Sequence, residues 1–228
     1  MTLTLLAWNV RQGGGRRALG LVREIVGMNA DVAVISEFRP KGKNRLLQLL
    51  RDAGYVYPKT EPPQVDGHTS VLVVSRRQPD EVASPLCYDW NNGHDSHRFS
   101  HLSVAGWNIL GCYIPGADRR DDSTSKRAFW RFLLDDVHHS LSATPAVVIG
   151  DLNTGLHERD EKGSTLVCAD DMAELEGRGW RDAWSDAHPT ERPPGSWWSP
   201  KYRNPFRLDH ALLSPESPAA LSVEYVTG

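Results

Sequence analysis

A chain of 228 residues with a formal net charge of −3 can bury a substantial core, as one large domain or two small ones. That charge excludes a pervasive polyanion-binding surface but is compatible with a local basic patch. The cysteines, Cys87, Cys112 and Cys168, lie far apart without Cys-x-x-Cys spacing, which suits a reduced intracellular protein better than a disulfide scaffold or zinc site. The N-terminus has no basic segment and its apolar run is broken at Trp8-Asn9, so it does not read as a signal peptide. No apolar stretch is long enough to span a bilayer, and the expectation is a cytoplasmic protein without membrane contact.

In chain order, residues 3–7 read as a strand and residues 18–26 as an amphipathic helix. The continuous apolar run at residues 31–36 predicts a buried strand, and the leucines at 46, 47, 49 and 50 predict a helix over residues 44–53 that stops at Gly54. Between Thr69 and Ile114 the pattern is strand-like throughout, with a hairpin turn at Gly106-Trp107-Asn108. A helix follows over residues 125–141, then a buried strand over 145–150 that runs into Asp151-Leu152-Asn153. A short helix at 170–176 precedes a proline-rich loop and strand-like segments GSWW, RLDHALLS and SVEYV. No composition shift or repeat marks a linker, so the chain reads as a single α/β domain over residues 1–228.

One local pattern points to a nucleotide cofactor. Gly13, Gly15 and Ala18 fit the dinucleotide fingerprint, with Glu37 roughly 20 residues further on where that fingerprint wants an acid. The strand does not lead directly into these glycines, however, because Asn9-Val-Arg-Gln12 intervenes. A dinucleotide-dependent oxidoreductase would also leave the polar residues at the other strand ends without a role.

Those residues are Asn9 after TLTLLAW, Glu37 after VAVIS, Asp151 and Asn153 after AVVIG, and Asp209 within FRLDHALL. Any one of them can be a turn or cap residue. Together they supply three carboxylates and two amides, hard oxygen ligands suited to magnesium rather than zinc. The histidines are less informative. His94, His97 and His101 cluster with Asp95 without the spacing of a standard site and read as a surface loop, while His138-His139 diverge on a helix.

Five blocks in order, WN-V at 8–10, SEF at 36–38, CYIPG at 112–116, GDLN at 150–153 and SWW with FRLDHALLS at 196–214, resemble the endonuclease/exonuclease/phosphatase superfamily. The likeness is strongest to its exonuclease III-like and apurinic endonuclease branches, and GHTSVLVVSRR at 67–77 extends it. The resemblance implies a four-layer sandwich of two mixed β-sheets flanked by helices, deoxyribonuclease I-like. It implies Glu37 as ligand of a Mg2+ ion (Mn2+ as substitute), with Asn9 supporting the metal or the phosphate. Tyr113 is expected to contact a phosphate oxygen, and Asp151 and Asn153 to orient or deprotonate the attacking water. Asp209 matches the aspartate that orients a catalytic histidine. That histidine sits in a Ser-Asp-His motif absent before Gly228, so the expectation is a chain about one strand short of its natural end.

The activity implied is metal-dependent phosphodiester hydrolysis by in-line water attack, with DNA favoured and no nucleotide cofactor, in a monomer. Arg11, Arg16 and Arg17 are candidate phosphate contacts, whereas Arg119 and Arg120, beside Asp118, Asp121 and Asp122, read as solvated surface. Trp197 and Trp198 are candidate base-stacking residues, one of the pair expected to face the core. Two alternatives share the fold: a phosphoesterase acting on RNA, an inositol phosphate or a phospholipid headgroup, and a binding module without activity.

Overall fold

The computed structural model describes residues 2–13, 15–40, 44–63, 67–81, 86, 95–116, 120–163, 165–201 and 203–226, without the side chains of 120–124. The first elements are β1 (Leu5–Asn9), α1 (Ala18–Gly27), β2 (Val32–Phe38), α2 (Arg45–Asp52), β3 (Tyr57–Thr60), β4 (Ser70–Ser75), β5 (Phe99–Val104) and β6 (Trp107–Tyr113). They are followed by α3 (Arg120–Phe132), α4 (His138–Leu141), β7 (Ala146–Asp151), α5 (Ala169–Gly177), β8 (Arg181–Asp182) and α6 (Ala183–Ala187). Last come β9 (Trp197–Ser199), β10 (Asn204–Phe206) and β11 (Asp209–Leu213). The chain is α/β, with two multistranded sheets and helices against them, and contacts divide it into two compact units. Met1–Tyr113 with Ile149–Asp151 form the first, and Ile114–Val148 with Leu152–Gly228 form the second.

In the first unit a sheet runs in the order β1-β2-β4-β3, with β1 parallel to β2 and β4 antiparallel to both β2 and β3. The central strands are VAVISEF and SVLVVS, β-branched and almost entirely buried, as strands covered on both faces must be. One face, with Ala33, Ile35, Leu72 and Val74, receives Leu21, Val22 and Ile25 of α1 and Leu46 and Leu50 of α2. Each such leucine contributes about 2 kcal/mol by leaving water. Asn44 starts α2, its side chain accepting the Leu47 N–H at 3.1 Å.

The other face meets β6. A Cβ added at Gly111 would come within 2.7 Å of Val73 and 2.8 Å of Val34, so only glycine lets the second sheet lie this close. β5 and β6 form an antiparallel hairpin with Val104 opposite Trp107. The turn is therefore Ala105-Gly106, one residue earlier than the sequence predicts; both have positive φ, +53° and +79°, as a tight two-residue hairpin requires. β6 in turn neighbours the last residues of β7. The strand β3, with its proline and lysine, has no apolar pattern and is not expected from sequence.

In the second unit α3, a π-helical stretch (Leu133–Val137) and α4 make one helical run where the sequence predicts a single α-helix. Phe129, Trp130, Leu133 and Val137 are buried, and α5 packs against the run. The first residues of β7 neighbour β11, which pairs antiparallel with β8. A separate ribbon sets β9 against β10, Trp197 opposite Phe206 and Trp198 opposite Pro205.

Residues 222–226 form no strand, contrary to expectation. They are held by single contacts instead of a ladder: the Tyr225 hydroxyl donates to the Asp209 carbonyl at 2.6 Å, and His188 Nε2 meets the Val223 carbonyl at 2.8 Å. Arg207, fully buried, donates from Nε to Asp160 at 2.7 Å and from Nη1 to Asp182 at 3.1 Å. Among the described residues no helix is long and apolar enough to cross a membrane.

Candidate active site

The first unit brings four of the expected residues together. Asn9 ends β1 opposite Ser36 of β2. One residue later the ladder between β2 and β4 shifts register between Ile35 and Phe38, and Glu37 takes φ +57°. Such a bulge re-aims a side chain that regular alternation would send elsewhere. Here it turns the Glu37 carboxylate to Asn9, whose Nδ2 donates to Glu37 Oε1 at 3.0 Å and to Asp151 Oδ2 at 3.1 Å. Asp151 is delivered by the end of β7. The preceding Gly150 has φ +139°, and a Cβ there would come within 2.1 Å of the Cys112 carbonyl oxygen, so glycine is required for β7 to approach β6.

The chain leaving β1 closes round this group. The Arg11 N–H donates to Asn9 Oδ1 at 2.9 Å, and the Gln12 N–H donates to Glu37 Oε2 at 2.9 Å. Both oxygens of Glu37 therefore receive hydrogen bonds, which keep the carboxylate in one orientation. The glycines that suggested a dinucleotide fingerprint form a turn and the start of a 3-10 segment, Gly15–Arg17, which leads into α1.

Tyr113 ends β6, its hydroxyl donating to Glu37 Oε1 at 3.4 Å. Burial pushes its phenol well above the usual range, the charges of Glu37 and Asp151 push it further, and Arg98, 5.5 Å over its ring, offsets part of this. The phenol stays protonated at neutral pH and is a donor, not a nucleophile.

The remaining expected residues divide as follows. Arg11 and Arg16 are exposed. Arg17 spends Nη2 on the carbonyls of Val10 and Arg11, at 2.8 and 3.2 Å. Asn153, Asp209, Trp197 and Trp198 belong to the second unit. Asn153 has φ +48°, donates from Nδ2 to the Ile114 carbonyl at 2.8 Å, and accepts on its own carbonyl from Lys126. Asp209 begins β11, and burial raises its carboxyl above the usual range although Ser196 opposes the shift.

His210 points inward, its Nε2 2.8 Å from the Thr154 carbonyl and 3.2 Å from that of Arg207. Two carbonyl partners require the proton on Nε2, and burial lowers the ring's pKa to about 4. Trp197 and Trp198 are both exposed, at 43% and 58%, which corrects the expectation that one faces the core. The ribbon's inner face is covered at Ser199 and Phe206, but Trp197 lies at the end of β9 and leans on Phe206 at 5.8 Å. His97 and Asp95 are buried, not on a surface loop, and His101 bonds Asn108 at 3.1 Å on β5. His94, Cys87 and Arg119 lie outside the described residues, as does the side chain of Arg120.

Gln12 and Arg39 are the site residues that sequence reasoning missed. Gln12 acts through its backbone, and Arg39 follows Glu37 by two residues with no motif to mark it. The three positive-φ residues at 11–13 carry only glycine as a sequence signal.

The Endonuclease/Exonuclease/phosphatase family model matches residues 6–227, and the chain belongs to that family. No curated protein matches it significantly by sequence. Among solved structures it is similar to an AP endonuclease from Archaeoglobus fulgidus, with TM-score 0.71 and 17% identity over 94% of this chain and 87% of the other. It is also similar to a 3′ phosphatase from Neisseria bound to a product DNA hairpin (TM-score 0.73, 18% identity) and to a 3′-5′ exonuclease from Neisseria meningitidis (0.73, 19%), with the same coverages. At these identities the likeness is one of fold, and it is the deoxyribonuclease I-like fold that the sequence motifs imply.

Enzymes of this family generally use divalent metals. Among the described residues no three His, Cys, Asp or Glu side chains converge to cage an ion. The donors of Glu37, Asp151 and Asn9 still fit a hard cation, because magnesium is ordinarily held by one or two carboxylates plus waters and substrate phosphate.

Proposed function

We propose that this chain hydrolyses phosphodiester bonds in DNA with the help of a divalent cation, magnesium or manganese. The observation that carries the reading is one amide nitrogen, Asn9 Nδ2, joined to both Glu37 and Asp151, with the Tyr113 hydroxyl on the same Glu37 oxygen. Glu37 would hold the cation, with the remaining lone pair of Asn9 Oδ1 beside it. The bound cation supplies neutralisation of the charge that builds on the phosphoryl oxygens.

Asp151 orients the attacking water and accepts its proton. Asn9 keeps Asp151 and Glu37 in fixed relation, so the base and the cation-binding carboxylate are set before substrate arrives. Tyr113, held protonated, donates to a phosphate oxygen as negative charge develops there. Arg11 and Arg16 offer contacts to backbone phosphates, and the exposed rings of Trp197 and Trp198 offer stacking surfaces for bases. The DNA hairpin bound to the Neisseria 3′ phosphatase supports DNA over other phosphoesters.

The test is turnover with Mg2+ or Mn2+ on abasic, nicked, single-stranded and duplex DNA and on a 3′-phosphorylated strand, with RNA and an inositol phosphate as controls. Cleavage of DNA above the controls is expected, together with weaker Mn2+ binding by Glu37→Gln. No turnover on any substrate and unchanged Mn2+ affinity in Glu37→Gln would remove the reading.

A further inference from the structure

The chain from Val10 to Gly13 does more than connect β1 to α1. Arg11, Gln12 and Gly13 have φ of +48°, +60° and +78°, three successive left-handed residues of which two carry side chains. Non-glycine residues in this region cost free energy and persist only where their surroundings impose the conformation. The return for that cost is visible: the two amides so exposed, of Arg11 and Gln12, point at Asn9 Oδ1 and Glu37 Oε2.

Two arginines hydrogen-bond to the turn. Arg17 Nη2 takes the carbonyls of Val10 and Arg11, the peptides leading into the turn. Arg39 Nη2 donates to the Gln12 side-chain oxygen. The aliphatic part of Arg39 lies over Gly13, where an added Cβ would meet Cγ at 3.0 Å, Cβ at 3.1 Å and Cδ at 3.3 Å. Asn44, the cap of α2, donates from Nδ2 to the Arg39 carbonyl and so ties the latch to the helix.

We infer that Arg17 and Arg39 are positioning residues that clamp the left-handed turn at residues 11–13, so that its backbone amides hold Glu37 and Asn9 in the geometry that binds the divalent cation. The inference rests on the metal-binding reading of Glu37. It gives Arg17 a role distinct from a phosphate contact, and it assigns one to Arg39, which no motif marks.

The experiment is calorimetric titration of Mn2+ into the full chain and into Gly13→Ala, Arg39→Ala, Arg39→Lys, Arg17→Ala and Glu37→Gln, with kcat and KM on the cleaved DNA and a melting curve for each. Clamping predicts that Gly13→Ala and Arg39→Ala both weaken Mn2+ by about 10-fold or more, the usual cost of losing a group that orients a ligand. Gly13→Ala removes no charge, so its agreement with Arg39→Ala separates positioning from electrostatics. Arg17→Ala should follow them, kcat should fall with KM nearly constant, and Arg39→Lys should recover part of the loss.

Unchanged Mn2+ affinity in Gly13→Ala and Arg39→Ala, with a raised KM and weaker salt dependence in Arg39→Ala, would overturn the proposal and make Arg39 a phosphate contact. If Gly13→Ala does not fold, the comparison of Arg39→Ala with Arg39→Lys decides. Unchanged affinity in Glu37→Gln would instead remove the metal-binding reading, and the clamp with it.

Discussion

Asn9 Nδ2 sits between two carboxylates, 3.0 Å from Glu37 and 3.1 Å from Asp151, and each of its two protons goes to one of them. The amide thus separates two like charges that would otherwise repel, and Asn9→Asp would put a third carboxylate in its place. A hydrogen bond to a charged group contributes about 1.5–3 kcal/mol, so losing two and adding repulsion should cost roughly 3 kcal/mol or more at neutral pH. Melting curves in EDTA should show that loss, and Mn2+ should raise the melting temperature of the variant more than that of the parent. A variant as stable as the parent in EDTA would show that Asn9 does not hold the pair apart.

Tyr113→Phe removes one hydroxyl whose contact with Glu37 is long, at 3.4 Å, so stability should change by less than about 1 kcal/mol. If the hydroxyl donates to phosphate in the transition state, kcat should drop by about 100-fold while KM changes little. Steady-state kinetics with DNA would check this, and an unchanged kcat would assign the hydroxyl to holding Glu37 alone.

These two residues also show how far the sequence reaches. Asn9, Glu37, Tyr113 and Asp151 are legible because buried apolar strands have no packing reason to stop at polar groups, and their motifs fall in family order. The bulge at Glu37 is not legible, since VAVISEF reads equally well as a regular strand. The turn at residues 11–13 is hidden for a similar reason: two of its three left-handed residues are Arg and Gln, and its contribution is made by backbone amides. Alternation misleads at Trp197-Trp198, because Trp197 stands at the end of the ribbon, exposed on the inner face that buries Ser199 and Phe206.

His210 makes stability depend on pH in a known direction. Burial lowers its pKa from 6.5 to about 4, so between those values the unfolded chain takes up a proton that the folded chain refuses. Stability from this residue is fully present above the unfolded value and lost as pH falls toward the folded one. The full loss is about 3 kcal/mol, from 1.36 kcal/mol per unit of difference. Urea unfolding from pH 7 to pH 4 should show this fall, and His210→Gln, which cannot take up the proton, should flatten the profile by up to about one proton's slope. Parallel profiles would mean that His210 titrates alike in both states.

Trp197 and Trp198 are large, exposed and on neighbouring positions of one ribbon, which suits contact with a ligand better than support of a core. Trp198→Ala should leave stability within about 0.5 kcal/mol, whereas Trp197→Ala should cost more because its ring rests on Phe206. Each should weaken single-stranded DNA binding by about 1–3 kcal/mol if its ring stacks on a base. Fluorescence titration with an oligonucleotide checks both, and two variants that bind as tightly as the parent would take the ribbon out of DNA recognition.

Arg207 tests the support beneath the second unit. Its guanidinium is fully buried between Asp160 and Asp182; Asp160 also pairs with Arg159 at 3.0 Å and accepts the Leu156 N–H at 2.7 Å, which steadies the chain after β7. Arg207→Leu leaves Asp182 buried without its paired cation and Asp160 with Arg159 alone, a change that costs about 3–5 kcal/mol. Adding Asp182→Asn to Arg207→Leu removes the stranded charge and should recover a large part of that loss. Denaturant unfolding of the single and double variants separates the two contributions. If the double variant is no more stable than the single one, the loss comes from packing around the guanidinium and not from uncompensated charge.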